Sequence, residues 1–145
     1  MSDILTAPYV LQYNYKRSTG TVIGRFFSAL RDGRIEGVRT KSGRVLVPPP
    51  ECDPETGESC GDFVTVGPGG TVTAWTWVAT PRPQHPLQTP FAWALIRLDG
   101  ADTALLHAVE ASAEAAMRTG LRVRPRFSSN PKGEMRDLVC FEAER

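Results

Sequence analysis

No apolar run in this sequence approaches the roughly 20 residues that a membrane-spanning helix needs, so no membrane span is expected. The N-terminus has no basic segment leading into an apolar one, so no secretory signal is expected either. Charge of one sign is also missing. Lys and Arg number 17 against 16 Asp and Glu, and a net charge of +1 gives no overall field to gather nucleic acid or an anionic membrane. Cysteine is scarce and odd in number, 3 in all, which does not suit a disulfide framework and points to a reducing, cytoplasmic setting. A phosphate cradle is absent, because Gly67-Pro68-Gly69-Gly70 joins two strand-like runs rather than a strand to a helix. There is no internal repeat and no low-complexity tract.

What is present suits one domain, or one domain with a small appendage. The 145 residues are 41% hydrophobic and 23% charged, enough to bury a core without metal or disulfide staples. Three units follow one another. Residues 1–18 form an N-terminal extension in which Tyr9, Leu11, Tyr13 and Tyr15 alternate. It reads as a strand or an extended arm, packed on another subunit or on its own domain, since Tyr offers large contact area at low entropy cost. Residues 19–61 make a helix and a hairpin. Thr19 is placed as the N-cap, and Val22, Ile23, Phe26, Phe27 and Leu30 fall on one helical face. Gly33 ends the helix. Runs at 35–39 and 44–47 flank the turn Thr40-Lys41-Ser42-Gly43, Pro48-Pro49-Pro50 stops the second run, and 51–61 is a polar loop.

Residues 62–145 form the third unit. Strands are expected at 63–66 and 71–80, with Val72, Ala74, Thr76 and Val78 on one face and Trp75 and Trp77 on the other. A proline-rich loop (Pro81, Pro83, Pro86, Pro90) precedes strands at 91–98 and 103–109. A short helix over 111–117 and strands at 121–127 and 135–141 complete the chain. From residue 71 the order is three strands, a helix, then two strands. The fold class is therefore mainly β: a five-stranded OB-type barrel, closed or nearly so, preceded by a short helix and a zinc-ribbon-like hairpin.

The residues that carry chemistry are few. A ribbon zinc site wants two thiolate knuckles. Here the first reads Val38-Arg39-Thr40-Lys41, while Cys52 and Cys60 are separated by seven residues rather than two. Two thiols with no nearby histidine do not close a zinc site, and Cys140 reads as a small buried hydrophobe. His85 lies in the proline-rich loop. His107 alternates in a strand, either on the barrel surface or as a satisfied interior residue, and no local signature marks a nucleophile beside either. Asp99 and Asp102 flank a turn, which suffices to explain them. Trp75, Trp77 and Trp93 can stack bases, and Arg122, Arg124 and Arg126 alternate as one basic face. The near-zero charge argues against a nucleic acid. The arginine face suits equally the phosphates of a CoA-type ligand or an acidic partner surface.

Five segments in order carry a resemblance. They are the runs 24–35 (GRFFSALRDGRI), 43–49 (GRVLVPP), 70–76 (GTVTAWT), 90–100 (PFAWALIRLDG) and 120–123 (GLRV). Together they resemble the family of small proteins that join a rubredoxin-like zinc ribbon to an OB fold and accompany thiolase-like enzymes. Cys52 and Cys60 fall where that family places its last two zinc ligands, and the first two are missing, so the resemblance implies a ribbon without its metal. It also implies a non-catalytic accessory subunit of a thiolase-superfamily enzyme, of thiolase or steroid side-chain aldolase type. In that reading the chain sits in a hetero-oligomer and helps form an acyl-CoA site. The candidate contact residues are then Arg39, Lys41, Arg44, Trp75, Trp77, Trp93, Arg122 and Arg124, with a CoA thioester as ligand and no cofactor of its own. The alternatives are a stand-alone acyl-CoA-binding OB module and a single-stranded nucleic-acid binder.

Overall fold

A computed structural model of the chain describes residues 4–144. Residues 4–19 carry no regular element, and their side chains are exposed throughout. Helix α1 (Gly20–Arg31) buries Val22, Phe26, Ala29 and Leu30, the stripe expected from a 3.6-residue period. Thr19 precedes it, but its side chain makes no capping bond; the Gly20 N–H instead donates to Ser18 Oγ at 3.3 Å. The C-terminal end is closed by a Schellman motif. Gly33, at φ +71°, donates to Leu30 O at 3.0 Å, and Arg34 donates to Ala29 O at 2.9 Å.

The ribbon is a three-stranded antiparallel sheet of β1 (Ile35–Arg39), β2 (Val45–Leu46) and β3 (Asp62–Val66), in the order β2-β1-β3. β3, which opens the expected 62–145 unit, thus pairs with β1 along its whole length. Gly37 sits where β1 and β2 nearly touch: a Cβ there would lie 2.7 Å from Leu46 O and from Val47 Cγ2. The barrel consists of β4 (Gly70–Val78), β5 (Phe91–Leu98), β6 (Ala104–Glu110), β7 (Arg122–Phe127) and β8 (Leu138–Ala143). It closes in the order β4-β5-β6-β8-β7, with β7 returning to β4 at Gly70 and Thr71. Every pairing is antiparallel except β6–β8.

Ribbon and barrel share one core. Phe26 and Leu30 from the helix, Ile35, Val45 and Val47 from the ribbon, and Val72, Ile96 and Phe141 from the barrel belong to a single buried cluster. Hydrogen bonds reinforce the joint at the outer edge of β2. Val45 N–H donates to Asp102 Oδ2 and Asp102 N–H to Val45 O, both at 2.8 Å. Thr103 Oγ1 accepts from Val47 N–H at 2.7 Å and donates to Val47 O at 3.0 Å. Asp102 therefore does more than stabilise its own turn.

Three expectations are corrected. β4 carries a bulge between Val72 and Ala74, and the extra residue exchanges the two faces beyond it. Val72 is buried, Ala74 and Thr76 are exposed, and Trp75 and Trp77 pack against the main core. The helix over 111–117 is only a 3-10 turn at Glu114–Ala116, because so short a segment cannot meet the cost of helix nucleation. The last strand begins at Leu138, since Met135–Asp137 is a second 3-10 turn.

Asp137 organises that second turn. Its carboxylate is buried and accepts the backbone N–H of Lys132, Gly133 and Glu134 at 2.8, 2.6 and 3.2 Å. Burial alone raises its pKa, but these three donors outweigh it and hold the group below the ordinary 3.8. Because the folded-state value is the lower one, this stabilisation is complete above the unfolded-state pKa and is lost as pH falls through the native one. Thermal melts between pH 5 and pH 2 are expected to fall less steeply for Asp137→Asn than for the parent chain; parallel curves would contradict this role.

Candidate functional site

The loop between β4 and β5 folds back over the outside of the barrel. Leu87 pins it there beside Phe91, Ala108 and Cys140, forming a second apolar cluster with Trp93 and Val139 at its edge. Within the loop His85 N–H donates to Arg82 O at 2.9 Å, and His85 Nδ1 accepts from Arg82 N–H at 3.2 Å. The His85 ring then stands edge-on to Phe91 and Trp93, with centroids 5.6 and 6.4 Å away. This loop is one wall of a cavity of about 560 Å³.

The other wall comes from the parallel seam of the barrel. β6 and β8 pair only at Val109–Phe141 and Glu110–Glu142, so below those pairs the two strands are not bonded to one another. The cavity lies there, bounded by Leu106 and His107 on β6, Leu138 and Val139 on β8, and Met135 and Arg136 on the preceding turn. His107 is 6% exposed, packs edge-on to Phe141 at 5.8 Å, and leaves its Nδ1 buried with no hydrogen-bond partner. Burial pushes its pKa below the usual imidazole value, and the nearby backbone of Ala108 and Leu138 offsets only part of that, so the ring is neutral at pH 7. The residue is thus interior but unsatisfied. No hydroxyl, thiol or carboxylate side chain lines the cavity, so it offers no nucleophile for either histidine to activate.

Of the contact residues expected from the sequence, Trp93 alone borders this cavity, beside His85 and His107. The cationic ones are each met by a carboxylate. Arg122 grips Asp99 through both terminal nitrogens, at 2.7 and 2.6 Å, and Glu144 through Nε at 3.3 Å. The Arg122 guanidinium holds the Asp99 carboxyl below its ordinary range. Arg124 lies 3.8 Å from Glu142, and Arg126 bridges Glu110 and Glu142 at 2.8 and 3.0 Å. The expected basic face is therefore balanced by acids on β6, β8 and the β5–β6 turn. In the ribbon Arg39 lies 3.7 Å from Asp62, Lys41 pairs with Glu58 and Arg44 with Glu55. These contacts are exposed, so each contributes little to stability, but they bind the hairpin tip to the loop that follows it.

The donor set at the ribbon does not fit zinc. Cys52 is exposed, while Cys60 is buried against Val38, Leu46 and Phe63. Burial pushes the Cys60 thiol up, helped by the charges of Asp53 and Cys52. Opposite it the hairpin supplies Arg39, Thr40 and Lys41, two cations and a hydroxyl where a tetrahedral site needs two more nitrogen or sulfur ligands. Glu110, Cys140 and Glu142 also converge, with ligand atoms within 4.8 Å of one another. Arg126 already occupies both carboxylates, and burial pushes the Cys140 thiol up to about 11, so this trio does not suit a metal either.

Residues 63–128 match the family model described as ChsH2, C-terminal OB-fold domain, and with the strand order this makes the barrel an OB fold. Two solved structures share the architecture over most of the chain. One is a protein of unknown function from the DUF35 family of Sulfolobus solfataricus, at TM-score 0.64 and 20% identity, covering 87% of each chain. The other is a chain of the Ltp2-ChsH2(DUF35) aldolase, at TM-score 0.64 and 19% identity, covering 88% of this chain and 98% of that one. No curated protein matches the sequence.

Proposed function

We propose that the chain is a non-catalytic, cytoplasmic accessory subunit that docks on a thiolase-superfamily enzyme, of thiolase or steroid side-chain aldolase type, and helps form its acyl-CoA site. The arm is the observation that carries this reading. Ile4, Leu5, Tyr9, Val10, Leu11, Tyr13 and Tyr15 are all more than 60% exposed and touch no core of their own, a density of uncovered apolar side chains that marks an interaction surface. The match to a ChsH2-type OB domain and the likeness to an aldolase component support a subunit role. The cavity lacks a nucleophile, which leaves the chemistry to the partner. The ribbon does its work without zinc, so a chelator leaves both the melting temperature and the assembly unchanged.

Co-expression with the thiolase-superfamily subunits of the same organism tests the proposal. One of them is expected to co-elute with the chain as a hetero-oligomer larger than either protein, with CoA-ester turnover only in the complex. A well-behaved monomer that ignores every such subunit would sink it. The nucleic-acid alternative has lost its main support, because the arginine face is paired with acids and two of the three tryptophans serve the core.

A further inference from the structure

We infer that the cavity at the β6–β8 seam is a binding site for a small apolar carboxylate. Three observations converge on this chemistry. The walls are hydrocarbon and aromatic: Trp93, Leu106, Met135, Leu138 and Val139. The volume, about 560 Å³, lies within the range of sites that enclose a small ligand. The polar groups on those walls include no negative charge. Two histidines, one arginine and one glutamine face the space, and no acid does. The acid nearest in the fold's logic, Asp137, is turned to the backbone N–H groups of its own loop.

The second feature is His107. Its Nδ1 is fully enclosed and has no hydrogen-bond partner, so the ring meets the cavity through its other atoms and adds an aromatic, uncharged surface to the wall. The third is Arg136, which lines the cavity, stands exposed at its rim and, like Arg82, Arg97 and Arg118, makes no ion pair among the described residues, so its charge is available to a ligand there. A carboxylate that enters tail-first lays its chain along Trp93 and Leu138 and leaves its charge at Arg136.

Nuclear magnetic resonance on the full chain, labelled with nitrogen-15, tests this with four probes: octanoate, 4-phenylbutyrate and the two corresponding alcohols. The acids are expected to shift the His107 ring and Trp93 indole signals saturably, and to bind at least ten-fold more tightly than the alcohols. Arg136→Gln should erase that preference. Leu106→Glu, which places a negative charge at the mouth on a side chain 59% exposed, should weaken the acids at least ten-fold with the melting temperature unchanged. If neither acid gives a saturable shift, or if alcohols bind as well as acids, or if both variants bind like the parent, the assignment is wrong. None of these outcomes depends on a thiolase-like partner, so the two proposals stand or fall apart.

Discussion

A chain in which Leu5, Tyr9, Leu11 and Tyr13 are all replaced by serine is expected to lose its enzyme partner while melting within about 1 °C of the parent. The first half follows from how interface energy is distributed. Buried tyrosine and leucine anchors that act as hot spots each contribute about 2 kcal/mol or more, and four of them removed together weaken assembly by at least about 100-fold even with strong non-additivity. The second half follows from exposure: these side chains are 94, 84, 63 and 76% exposed and contribute nothing to the chain's own core. An extended segment spanning residues 4–17 reaches about 45 Å, far enough to cross the face of a neighbouring subunit. Size-exclusion chromatography of the co-expressed pair reads the first effect and differential scanning calorimetry the second. Normal assembly by the variant would remove the arm from the interface and leave the barrel or ribbon as the docking surface. The isolated variant should also be the more soluble, since it lacks the uncovered apolar patch.

Phe141→Ala is expected to cost about 3–5 kcal/mol, the range for truncating a fully enclosed aromatic ring. Phe141 has no exposed surface, faces Val109 across the parallel seam and Pro125 on the other side, and is the ring against which His107 packs. Its loss leaves a void where the barrel is closed by only two residue pairs. For a domain of this size the melting temperature should drop by roughly 10 °C or more. Leu106→Ala, on the same strand as the seam but with its side chain facing solvent, should change stability by less than about 0.5 kcal/mol. A Phe141 variant that melts like the parent would mean that the seam is held by the loop over 79–90 rather than by the core.

The fold was legible wherever one residue period ran without interruption. The helix stripe ending at Leu30 followed its 3.6-residue period, and Phe91–Leu98 alternates over most of its length; Ile35–Arg39, buried at four successive positions, was marked by its apolar content and by the turns on either side. The bulge in β4 was not legible. Thr73 has no feature that marks it as the extra residue, and one such residue inverts everything after it, which is why Trp75 and Trp77 turned inward. The basic stripe of Arg122, Arg124 and Arg126 was visible as spacing alone. Its neutralisation depends on Glu110, Glu142 and Asp99, which arrive from other strands. The cavity was the hardest to see. It needs the proline-rich loop, two strands and a turn to meet, and the one local cue was a histidine set in an apolar alternation.

The joint between β2 and the β5–β6 turn bears on how so small a sheet stays folded. A free-standing zinc ribbon has so little interior that coordination supplies most of its folding energy, and losing a ligand unfolds it. Here a strand of two residues takes its edge bonds from Asp102 and Thr103 and its packing from the barrel's own interior. Ribbon and barrel should therefore denature in one cooperative transition, with no separate early melting of the N-terminal part. Such a sheet is a dependent of the larger domain. The exposed salt links of Lys41 and Arg44 at its hairpin tip then carry little of its stability.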